Sequence, residues 1–193
     1  KEVYATTGSR MLVRVFAGWD FEEDEVRRPD FAAEGYDRGV PMGADLFAGP
    51  EGAAPTFMIR ALRDPDGANL DRIQIVKGWV GDDGEPMTKV FDVAWSGERE
   101  PDVDGKLPPV GSTVEGGEFT NTIGAAMLGG YWVDPEFDPA QRAYYYVRVL
   151  EIPTPSWLAY DQAFYGPLDL PDDAVMVQQE RAYTSPIWYA PPT

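Results

Sequence analysis

"PTFMIRALRDPDGANLDRIQIVKGWVGDDGEPMTKVFDVAWS", residues 55–96, decides the fold class of this chain. Its first apolar run alternates, with Phe57, Ile59 and Ala61 on one side and Met58, Arg60 and Leu62 on the other. That is the repeat of a pleated strand; a helix would repeat about every 3.6 residues. The apolar runs at 56–62, 72–80 and 88–95 are separated by "RDPDGANLD" and "VGDDGEP". An Asp-Gly step supplies the positive φ that tight hairpins need, and proline cannot donate to a ladder. The stretch predicts consecutive antiparallel hairpins.

Working outward, "AYYYVRVLEI" (143–152) has the same period. Ala143, Tyr145, Val147 and Val149 share one face; Tyr144, Tyr146, Arg148 and Leu150 share the other, which carries polar handles. Further strand-length runs at 11–17 and 127–133 are rich in the β-branched and aromatic residues that suit a half-buried pleated surface. The expectation is an all-β fold, an immunoglobulin-like two-sheet antiparallel sandwich of about seven or eight strands with long irregular loops. One domain is expected over 1–193. Three segments read as irregular: 19–39, with room for one helical turn around 29–35; 98–118, a long loop; and 153–174, a proline- and aromatic-rich crossing.

Charge narrows the function classes. Sixteen Lys and Arg against 33 Asp and Glu leave a net charge of −17. Binding nucleic acid by phosphate neutralisation is disfavoured, as is attraction to an anionic membrane. No run of about 18 uncharged apolar residues is present, so no membrane insertion is expected. The chain has no cysteine and no histidine. Disulfides and thiolate metal sites are excluded, and the commonest transition-metal ligand and general base are missing. Lys1 is not a methionine, and "KEVYATTGSR" reads like the middle of a longer polypeptide.

The segments "VYATTGSR", "APTFMIRALRDPDGANLDRIQIVKGW", "KVFDVAWS", "TNTIGAA", "YWVDPEFDPAQRAYYYVRVLEIPTPSW" and "QERAYTSPIWY" resemble the C-terminal part of a bacterial family labelled domain of unknown function 3604. Full-length members of that family resemble PHP-type (polymerase and histidinol phosphatase) metallo-phosphoesterases. The resemblance runs from about residue 1 to about 190 and is weak over 98–118. It implies that Lys1 to about Arg10 is the seam with an upstream catalytic barrel, which would be this chain's partner and would hold the divalent metal. None of the family's metal-binding motif occurs here, so no catalytic residue carries over. The chain is then expected to be a non-catalytic accessory domain, with self-association open; the resemblance also favours a periplasmic or secreted location.

Several residue groups are candidates for more than packing. "DPDGANLD" places Asp64, Asp66, Asn69 and Asp71 within eight residues, oxygen ligands suited to Ca²⁺, although Ile75 stands at the twelfth loop position where an EF-hand needs its bidentate glutamate. A hairpin turn explains the same letters. Trp157, Tyr160, Phe164 and Tyr165 cluster after "EIPTP", and Trp188 and Tyr189 stand near the end. Such aromatics serve a core, an interface or a sugar-binding platform, which keeps a carbohydrate- or ligand-binding module open. Arg10, Arg60, Arg148 and Arg181 adjoin apolar runs and are expected to pair with acids. The sharper reading sends one to a substrate anion, with Arg10 chosen as closest to the seam. The trio Asp134, Glu136 and Asp138 would serve a stand-alone carboxylate-dependent hydrolase, and reads first as a turn.

Overall fold

The alternation at 56–62 becomes β5 (Thr56–Leu62) in the computed structural model, which describes residues 1–191. β5 lies between β2 (Leu12–Gly18) and β8 (Met127–Val133), and β3 (Val40–Pro41) adds an edge beyond β2. Ile59 stands opposite Val15 on one side and Gly130 on the other. The second, larger sheet is built on β9 (Ala143–Glu151). β6 (Leu70–Val80) runs along one edge of β9, with β7 (Pro86–Trp95) outside it. Along the other edge follow β12 (Arg181–Thr184) and β13 (Ile187–Tyr189), capped in turn by β1 (Tyr4–Thr6) and β4 (Asp45–Leu46). The fold is an all-β sandwich. Its pairings are not all antiparallel, because β4 and β13 run parallel. β10 (Thr154–Pro155) and β11 (Val177–Gln178) form a separate short ribbon.

The inner faces follow the sequence pattern. Val13, Val15, Phe57, Ile59 and Ala61 of the small sheet meet Ile73, Ile75, Tyr145, Val147 and Val149 of the large one. The outward residues of β2 and β5 are buried too. Phe16 and Met58 lie under Phe21, which precedes a 3-10 turn (Glu23–Arg27), under Val26 of that turn and under Phe31 of α1 (Phe31–Arg38). Segment 19–39 thus holds more helix than the single turn expected. Its proline and glycines hide the helix, yet Gly35 is there for packing: a Cβ at that position would stand 2.4 Å from the Phe16 ring. Arg38 joins this cap to the turn, donating to the buried Glu25 at 2.5 Å.

Segment 153–174 also departs from expectation. It contains α2 (Trp157–Tyr165), whose N-cap Ser156 accepts from the Ala159 N–H, and it stops at Gly166 with φ +89°. Of the two hairpins expected around the Asp-Gly loops only β6–β7 forms; the 63–69 loop instead crosses from β5 in the small sheet to β6 in the large one. Gly84 takes φ +83° as its hairpin requires. The 64–67 loop closes differently: Asp64 accepts from the Asp66 N–H, and the Gly67 N–H donates to the Asp64 carbonyl.

One polar group bridges the two layers. Lys77 of β6 donates to Asp134, just past β8, at 2.6 Å, and to the Glu136 carbonyl at 2.7 Å. Tyr145 of β9 donates to the same Asp134 oxygen at 2.7 Å. All three side chains are buried.

Two outcomes follow from this packing. A Gly→Ala change inside a helix ordinarily stabilises by about 0.5–1 kcal/mol. Gly35→Ala should instead destabilise by about 1–3 kcal/mol, because the new methyl meets the Phe16 ring. Urea unfolding of the two proteins measures the sign. Lys77→Met leaves Asp134 charged and uncompensated in the core and should lower stability by about 3–5 kcal/mol in the same assay.

Candidate functional surfaces

Asp64, Asp66, Asn69 and Asp71 take different partners. Asp64 receives the Arg10 backbone N–H at 2.8 Å and the Arg10 guanidinium at 3.1 and 3.2 Å. Asp66 takes the same guanidinium at 2.7 Å. Arg10 is thereby engaged with two carboxylates rather than free for a substrate anion, and it holds Asp64 well below the usual carboxylate range, at about 2. Asn69 ties down the neighbouring loop through the carbonyls of Asn121 and Ile123. Asp71 is buried between Arg72 and Arg99, at 3.1 and 2.7 Å, and also accepts from Gln179. Through Arg99 and Arg72, which donate on to the Pro108 carbonyl, Asp71 anchors the long loop 98–118. Among the described residues no group of three or more His, Cys, Asp or Glu gathers in a form that could hold a metal ion.

The trio at 134–138 is likewise dispersed. Asp134 belongs to the buried bridge, Glu136 pairs with Lys89, and Asp138 accepts from the Ala140 N–H. The arginines divide by environment. Arg60 donates to the carbonyls of Val26 and Arg28 and lies 4.3 Å from the Phe31 ring centroid, a structural role in holding the helical cap. Arg148 donates to Gln74 at 2.8 Å, and neither Arg148 nor Arg181 makes an ion pair among the described residues.

The aromatic candidates separate into three places. Tyr189 is buried, packed edge-on against Phe137 and Trp19, and its hydroxyl donates to the Pro139 carbonyl. Trp188, one residue earlier on β13, points the opposite way and is 48% exposed. On α2, Trp157 (65% exposed), Tyr160 (49%), Phe164 (80%) and Tyr165 (72%) form an outward stripe, while Ala159 is the buried residue. The helix is thus turned with its apolar side to solvent.

A family model described as "Protein of unknown function (DUF3604)" matches residues 1–191. The chain belongs to the DUF3604 family. Searches of curated proteins and of solved structures found no match.

The ionisable group in this DUF3604 chain that sequence reasoning passed over is Glu151. It continues the inward row Ala143, Tyr145, Val147, Val149 of β9, so period two alone would have placed it inside. It is buried, and the Ser9 hydroxyl donates to it. Burial pushes its carboxyl from the ordinary 4.5 up to about 6, with Glu180 and Asp64 adding repulsion. A carboxyl whose folded-state pKa is raised stabilises the fold below its unfolded value and loses that contribution as pH rises through the folded one. The loss between pH 4.5 and pH 6 is on the order of 2 kcal/mol. Glu151→Gln keeps an acceptor for Ser9 and removes the charge. The variant should be more stable than the parent above pH 6 and lose the advantage below pH 4.5, as read from urea midpoints across that range. A parallel shift at every pH would contradict this.

Proposed function

We propose that this chain is a non-catalytic accessory domain of a larger PHP-like metallohydrolase-type protein, and that it packs on the catalytic barrel through α2. The observation that carries the reading is the outward aromatic stripe of that helix. Trp157, Tyr160 and Phe164 recur at helical spacing on an exposed face, with Gly117 of the long loop close to Tyr160 at its margin. Stacked this densely, solvent-facing aromatics are the composition of an interface core. The surroundings of α2 are acidic, with Asp161 on the helix and Asp169, Asp172 and Asp173 after it. A matching partner surface is apolar at its centre and basic at its rim.

The state of the ionisable side chains supports the same reading. The acidic clusters legible in the sequence are taken up by arginine, lysine and backbone N–H groups, which leaves them structural work. Metal and general base then come from the barrel, and this domain contributes packing and position.

Hydrogen exchange tests it. In the full gene product the amides of α2 should exchange at least about tenfold more slowly than in the isolated chain. Phe164→Glu should return them to the fast rate. Equal rates in both proteins would overturn the reading. So would protection that appears in the isolated chain as its concentration rises, since a second copy would then be the occupant.

A further inference from the structure

The outer face of the large sheet carries a second unpartnered feature, away from α2. Lys77 points inward, so its neighbour Gly78 points out, directly opposite Tyr144. A Cβ on Gly78 would lie 2.2 Å from Tyr144 Cζ and 2.4 Å from its Oη. The Tyr144 side chain therefore lies across β6 instead of standing off the sheet. Tyr146 runs parallel to it, with an interplanar angle of 11° and centroids 6.5 Å apart. That separation matches the two-residue rise of a strand, about 6.6 Å. Val76, opposite Tyr146, is buried despite its outward position. Trp188 closes the row, 5.4 Å from Tyr144. Three rings thus pave a strip of the sheet.

The strip runs into a pair of arginines. Arg148 is next outward on β9, opposite Tyr183; Arg181 shares the face of Tyr183 and stands opposite Leu150. The two residues are diagonal neighbours across the strands, a placement of about 7–8 Å at the backbone. Like charges so placed repel unless an anion joins them. Arg148 is steered by Gln74, which is itself held by Asp92 at 2.7 Å. Arg181 faces the Tyr183 hydroxyl, yet its Nε is buried without a hydrogen-bond partner, and a buried donor of this kind calls for an acceptor. Both guanidinium groups hold the Tyr183 hydroxyl below its ordinary pKa, Arg181 more strongly. On a chain of net charge −17 this is a local cationic site.

We propose that this face binds an acidic saccharide, with the pyranose rings laid on Trp188, Tyr144 and Tyr146 and a carboxylate or sulfate held by Arg148 and Arg181. Guanidinium forks match carboxylate and sulfate oxygens, and the apolar faces of sugar rings match aromatic ones. The row from Tyr144 to Arg148 spans about 13 Å, which suits a short oligomer better than one sugar. An acidic peptide fits less well. β9 is paired along both edges, so no free backbone groups remain for an added strand.

The test is calorimetric titration of the whole chain with tetragalacturonate, a chondroitin sulfate tetrasaccharide, neutral cellotetraose, and acetate or sulfate alone. At least one acidic tetrasaccharide should bind with Kd below about 1 mM, and cellotetraose at least about tenfold more weakly. Arg181→Gln breaks no ion pair and keeps an amide donor beside the Tyr183 hydroxyl, so it should stay folded by circular dichroism; with Trp188→Ala it should weaken binding about tenfold or more. Failure of both acidic oligomers to bind above the neutral one would overturn the proposal. So would binding that ignores Arg181→Gln. Acetate or sulfate bound as tightly as the oligomer, with Trp188→Ala silent, would also overturn it, as an anion subsite without a sugar. None of these results depends on what covers α2.

Discussion

A buried lysine governs this sandwich. Lys77 sits in the interlayer with its ammonium on the Asp134 carboxylate and the Glu136 carbonyl, walled by the Trp79 and Tyr145 rings. The Tyr145 hydroxyl takes the same carboxylate, and burial beside that charge pushes its pKa up. Three strands from two sheets are thereby fixed at one point, since Asp134 also donates its N–H to the Pro55 carbonyl at the entrance to β5. A buried ion pair contributes little net stability over apolar packing, but half of one is costly. Its effect here is on register. Slipping β6 by one residue would turn Lys77 to the outer face and leave Asp134 alone inside.

The strands were legible because their period is two, but an Asp-Gly step does not say which strands pair: β6 and β7 form a hairpin, whereas β5 and β6 belong to different sheets. β5 and β9 show the alternation over seven and nine residues, long enough to stand out. The rest escaped for physical reasons. β3, β4, β10 and β11 have two residues each, and β1 and β13 three, too few to display any period. They exist because longer strands offer them partners. α1 is obscured by Gly35, which packing on Phe16 requires. α2 was hidden differently: its apolar stripe faces solvent, so it forms no pattern with the core around it. Site chemistry was half legible. The outward row of β9 and Arg181 could be named from sequence, but nothing local says that β12 lies beside β9 and sets Tyr183 against Arg148.

Acidity in this chain follows the same division between inside and outside. The acids that approach the core are matched one by one: Asp71 by two arginines, Glu25 by Arg38, Asp134 by Lys77. Glu151 is the exception, matched by a hydroxyl and therefore raised in pKa. The remaining acids face water, where their repulsion is screened. Against that background Arg148 and Arg181 stand out by their placement, two guanidinium-bearing residues on one face of adjacent strands beside the same tyrosine.

Period two couples the two faces of the large sheet. Lys77 inside requires Gly78 outside, and Gly78 is the residue that lets Tyr144 lie across its neighbour. Tyr145 inside, on Asp134, requires Tyr144 and Tyr146 outside as parallel rings, with Arg148 following at the next outward position. The buried bridge and the aromatic strip are therefore one constraint seen from two sides. A change that loosens the inner triad should blur the outer face even though no atom there is altered. A change on the outer face, such as filling the space at Gly78, would lift the ring while leaving the bridge intact. The rigidity of the platform is set in the core, and its chemistry is set on the surface.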